Sequence, residues 1–147
     1  MEELLELREY ILNKQYNDAL LLVDDMTEMA KEDKYHRITS YMIVLLVHII
    51  KQKAENRSTR SWENSISFAL FEINETNERD KSGGVYAKED KLNELLEKAF
   101  IMALKRASIE AFEGVYSARE LLKMINEDKI KEEALQLIIR YNPKDID

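Results

Sequence analysis

Apolar residues recur at three- and four-residue spacing through most of this chain, and the polar interruptions between the stripes mark out helices. Leu4, Leu7 and Ile11 predict a first helix over residues 2–13. After Lys14-Gln15 a second stripe follows through Tyr16, Ala19, Leu20, Val23, Met26 and Ala30, with Asp24, Asp25 and Glu28 on its wet side. Two helices of similar length joined by so short a break are expected to lie antiparallel. The polar run 31–34 fits either a turn or a continuation of the helix; taken as a break, it puts a third helix over 35–54. Its apolar face (Ile38, Tyr41, Met42, Leu45, Leu46, Ile49, Ile50) is widened by Ile43, Val44 and Val47. A helix apolar around most of its circumference is a central one.

The remaining chain continues in the same period. Trp62, Ile66, Ala69, Leu70 and Ile73 predict a fourth helix over 61–77, with Ser61 as its N-cap and Glu63 in its first turn. Asp80-Lys-Ser-Gly-Gly84 has the composition of a loop. A fifth helix is expected over 88–112, supported by a Glu94–Lys98 pair one turn apart and stopped near Gly114. Ser117 and Glu120 have capping-box spacing and open a short helix over 118–125. Asn126 caps a last helix reaching about Tyr141, with Pro143 beyond its end. The helices on both sides of the Gly-Gly loop need partners for their apolar faces. The expectation is therefore an all-α fold: one domain over 1–147, a helical bundle of six or seven helices.

Composition narrows the picture. Three Gly and one Pro among 147 residues are too few for many short strands joined by tight turns. The absence of Cys excludes disulfides, thiolate zinc sites and cysteine nucleophiles. The start of the chain is acidic and amphipathic, unlike a signal peptide. The longest apolar run, 41–47, falls far short of the ~17–25 residues that span a bilayer. A cytoplasmic protein without a membrane partner is expected.

Net charge is −7, unevenly spread. Residues 1–35 hold ten acids against four bases, whereas 51–60 holds four bases (Lys51, Lys53, Arg57, Arg60) against Glu55 alone. The acidic total disfavours duplex nucleic acid as a partner, because phosphate contacts need a basic face. The local basic patch leaves a small anion or an acidic protein surface in play.

Chemistry-bearing motifs are sparse. His48 falls on the stripe of the third helix, where a histidine is normally held by a carboxylate, hydroxyl or backbone carbonyl. His36 lies twelve residues earlier, about 18 Å along a continuous helix, so one metal ion cannot take both. Asp33-x-x-His36 is a lone fragment of the repeated Glu-x-x-His of carboxylate-bridged metal bundles. No nucleophile elbow or phosphate-cradling Gly-rich loop occurs. No metal or cofactor is expected. The notable cluster is His48, Lys51, Arg57, Arg60 and Trp62, in which Arg57 and Arg60 offer forked donors near a helix N-terminus.

His48-Ile-Ile-Lys51, Arg57, Arg60-Ser-Trp62 and Ile66 together resemble the signature of a bacterial family, domain-of-unknown-function family twenty-nine, which is frequent in cyanobacteria. Its members typically carry a leucine-rich helix ending His-Leu-Leu-Lys, an Arg-rich connector, and Arg-Ser-Trp opening the next helix. The resemblance is carried by residues 36–70. It implies an all-helical fold and no particular activity. The functional expectation is a protein-interaction or regulatory module that binds a protein partner or itself as a homodimer, through a surface including the basic connector. Two alternatives are an antitoxin-like component and an enzyme in which His48 acts as base beside an Arg57/Arg60 anion clamp.

Overall fold

The computed structural model describes residues 2–79, 81 and 83–146; Asp80 and Ser82 of the expected loop lie outside them. The described chain is all-α: α1 (Glu2–Leu12), α2 (Tyr16–Glu55), α3 (Arg60–Asn77), α4 (Glu89–Glu110), a 3-10 turn (Ala111–Gly114), α5 (Ala118–Leu122) and α6 (Glu127–Ile139). Contacts group it into two compact units, residues 1–34 and 35–147, and α2 contributes to both.

In the first unit, α1 ends in a Schellman closure. The Gln15 N–H donates to Tyr10 O (2.8 Å) and the Lys14 N–H to Ile11 O (3.1 Å), with Lys14 at φ 62°. Partly or fully shielded positions are Glu3, Leu7 and Tyr10 on α1 and Ala19, Leu22 and Met26 on α2. They fall at mirrored distances from the turn, which is the pattern two antiparallel helices produce.

The expected break at 31–34 does not occur. Helix α2 runs through it, because Lys31, Glu32, Asp33 and Lys34 are polar yet include no helix breaker. Polarity there marks solvent, not a stop.

The second unit holds the core. Leu45, Leu46, Val47, Ile49 and Ile50 of α2 are all at most 1% exposed, the signature of a central helix. Around them lie Ala69, Leu70 and Ile73 of α3, and Ile130, Ala134, Leu135 and Ile138 of α6. Ala99, Ala103 and Ala107 are buried at four-residue spacing, so one edge of α4 lets a neighbour approach closely, and Ala111 continues the row into the 3-10 turn. Helix α4 contacts α5 and α6, and α3 contacts α6.

Polar links fasten these helices. Ser117 and Glu120 form the expected capping box, and Asn126 Oδ1 caps α6 by accepting from the Lys129 N–H. Glu94 pairs with Lys91 at 3.0 Å, one turn earlier than expected, rather than with Lys98. Lys131 on α6 reaches Glu97 on α4 at 2.9 Å and also pairs with Glu127. Burial disfavours its charge, but hydrogen bonds to the two carboxylates outweigh that and raise its pKa above 10.5. Between α3 and α4, Asn77 is buried and its side chain bonds both backbone groups of Ala87.

Candidate functional site

Helix α2 stops where Asn56 turns left-handed (φ 52°) and the Arg57 N–H donates back to Gln52 O at 3.2 Å. Asn tolerates that conformation better than other residues bearing a side chain. Thr59 then caps α3, its Oγ1 accepting from the Trp62 N–H at 3.1 Å. The cap is Thr59 and not Ser61, because α3 begins at Arg60 and places Ser61 inside its first turn. The result is a four-residue connector that brings the end of α2 and the start of α3 together.

Trp62 sits at that corner, half-buried. Lys51 Nζ and Arg57 Cζ each lie 4.7 Å from the indole centroid, within cation–π range. Neither cation is bare. Lys51, whose side chain is only 8% exposed, donates to Glu110 Oε1 at 2.9 Å. Arg57 Nε donates to Glu55 Oε1 at 3.0 Å, while Glu55 Oε2 accepts from the Phe112 N–H at 3.3 Å. Lys53 pairs with Glu133 at 3.5 Å. The basic connector is thus largely neutralised from within.

The other wall is the 3-10 turn. Phe112 (φ 50°), Glu113 (φ 57°) and Gly114 (φ 79°) are left-handed in succession. A non-glycine residue in that region costs about 1–2 kcal/mol. A Cβ at Gly114 would come 3.0 Å from the Ile109 carbonyl oxygen, so this position needs glycine for space as well as for φ. The turn sets Phe112 edge-on to Tyr116 (5.1 Å between centroids) and leaves Val115 73% exposed.

Together these residues line a cleft of about 590 Å³: Lys51, Glu55, Arg57, Trp62, Glu110, Phe112, Glu113, Val115 and Tyr116. Its volume is in the range of small-ligand sites. Two cations face three carboxylates there, and Glu113 has no ion-pair partner among the described residues. The excess charge is negative, the reverse of an anion clamp.

Of the five residues singled out in the sequence, Lys51, Arg57 and Trp62 meet at this cleft. His48 and Arg60 do not line it. His48 is half-buried and its Nδ1 lies 2.8 Å from Val44 O, so Nδ1 carries the proton that this bond needs. Arg60 is exposed and borders a separate hollow with Val44, Ser61, Asn64, Ser65 and Phe68. Arg57 and Arg60, the two arms of the anion clamp in the enzyme alternative, border different hollows, and His48 lines neither of them. Glu110, Phe112, Glu113 and Tyr116 escaped sequence reasoning, since they come from about fifty residues further on. Glu55 alone carried a signal, as the one acid in a basic stretch.

Among the described residues no three His, Asp or Glu side chains gather to hold a metal ion, and no helix is long and apolar enough to cross a membrane. The class is an all-α protein with an aromatic, mixed-charge cleft beside a helix–helix corner. The chain matches the sequence model of a domain of unknown function, DUF29, over residues 6–124, and it belongs to that family. No curated protein and no solved structure matches it.

Proposed function

We propose that this DUF29 protein is a cytoplasmic protein-interaction module that also self-associates as a homodimer, contributing surfaces rather than bond-making chemistry. One contrast carries the reading. Among the described residues, 25 of the 26 buried hydrophobics belong to residues 35–147, and Ala19 is the sole one in the first unit. Nine large hydrophobics between Leu4 and Met29 are at least 40% exposed. Contiguous apolar surface beyond a few hundred Å² ordinarily marks an interaction site. The cleft at Trp62 is a second place for a partner side chain, with Glu113 available to a cationic group.

The test is site-specific photo-crosslinking in cells. A photoreactive residue at Ile11 or Leu20 should give discrete protein adducts, whereas one at exposed Ser40 should not. Absence of adducts at both apolar positions, or equal labelling at Ser40, would remove the reading.

A further inference from the structure

Helical phase sorts the side chains of the first unit. At 100° per residue, Leu4 and Ile11 of α1 and Tyr16, Leu20 and Val23 of α2 fall on the same side of the antiparallel pair. All five are 40–61% exposed. Leu5 and Leu12, at 63% and 66%, extend the strip around the outer edge of α1. Seven such side chains amount to roughly four fully exposed ones. At about 100 Å² apiece, the scale set by burial of an aliphatic side chain, that is on the order of 400 Å², about half of the ~800 Å² each partner brings to a standard interface before the polar rim is counted.

Charge follows the opposite rule. Glu2, Glu6 and Glu9 of α1 and Asp18, Asp25 and Glu32 of α2 lie on the other side of the pair. Arg8 stands in the apolar strip itself, with no ion-pair partner among the described residues. Lys31 lies at the strip's rim, and Asp24 and Glu28 point outward beyond it. Two such hairpins facing each other through their strips would keep their acidic sides in water and apart. Arg8 of each would approach the outward carboxylates of the other.

We propose that the occupant of this strip is a second copy of the chain, the two hairpins closing into a four-helix bundle about a two-fold axis. The proposal rests on the interaction reading above and specifies its partner and its surface. A hairpin apolar on one side is half of such a bundle, and like-charge opposition, the usual obstacle for so acidic a segment, is avoided by the segregation of its acids.

Sedimentation equilibrium of the full chain tests it, with two variants that alter only exposed positions. The parent should sediment at twice 17.3 kDa. Leu20→Glu combined with Val23→Glu should weaken the dimer at least about tenfold, the effect of roughly 1.4 kcal/mol. Leu21→Glu, equally exposed but on the acidic side of α2, should leave the dimer unchanged. A dimer indifferent to Leu20→Glu/Val23→Glu overturns the proposed surface. A monomer at every concentration overturns the second copy as occupant, while crosslinks from Leu20 to a different protein would still uphold the interaction reading. Circular dichroism of each variant separates lost association from lost folding.

Discussion

Replacing Asn77 should expose how the α3–α4 connection is held. Asn77 ends α3 with 5% exposure, and its side chain acts as a strand would towards Ala87: Nδ2 donates to Ala87 O at 2.9 Å and Oδ1 accepts from Ala87 N at 2.7 Å. Ala87 is 0% exposed, so neither backbone group has water as a substitute. Each net hydrogen bond is worth about 1 kcal/mol, but an orphaned buried group costs about 1–3 kcal/mol. Asn77→Ala orphans two, giving an expected loss of about 3 kcal/mol within a range of about 2–5. Asn77→Asp is more diagnostic, because it keeps the acceptor and loses the donor. Its carboxylate would face the Ala87 carbonyl oxygen, which favours the protonated acid and raises the folded-state pKa above the usual ~3.9. The unfolded chain then ionises first, so the penalty is full at neutral pH and shrinks as pH falls through the folded pKa. Urea denaturation followed by circular dichroism, with each variant measured against the parent at pH 7 and pH 4.5, reads both effects. A loss below about 1 kcal/mol for Asn77→Ala, or an Asn77→Asp deficit that ignores pH, would refute the reasoning.

The other expectations concern the cleft and the α4–α6 link. Trp62→Ala should cost about 2–3 kcal/mol in the same assay, less than the 3–5 of a sealed aromatic, because the indole is half-buried. Arg57→Ala should cost under about 1 kcal/mol, since its side chain is 55% exposed; a larger loss would make it a structural clamp. The raised pKa of Lys131 adds stability that is complete below about pH 10.5 and lost as pH climbs through the folded value. Lys131→Met should therefore flatten the alkaline decline of Tm, and parallel curves for parent and variant above pH 10.5 would count against the assignment.

Helix-period stripes and cap residues made most of the fold legible: the stripes give the central position of residues 45–50, and the cap chemistry gives the helix starts at Ser117 and Asn126. The failures have identifiable causes. Lys31 to Lys34 are polar, but helix continuity depends on backbone freedom and breaker residues, so α2 runs on for 40 residues. Ser61 and Thr59 are both good caps, and only the true start of α3 at Arg60 decides between them. At the site, Lys51, Arg57 and Trp62 lie within twelve consecutive residues and were readable together. The carboxylates that neutralise them were not, because a contact such as Lys51–Glu110 spans 59 residues. The stripe of residues 4–23 posed a subtler problem. Apolar spacing announces that a face will be covered, yet it is identical whether the cover comes from the same chain or another.

Hydrogen–deuterium exchange across a dilution series tests the central claim most directly, namely that the apolar side of the first unit is closed by a second copy of the chain. Amides of residues 2–30 should gain protection as concentration rises, while those of α4 and α6 stay constant. Exchange in residues 2–30 that is the same at every concentration, and unaltered by Leu20→Glu with Val23→Glu, would contradict the account.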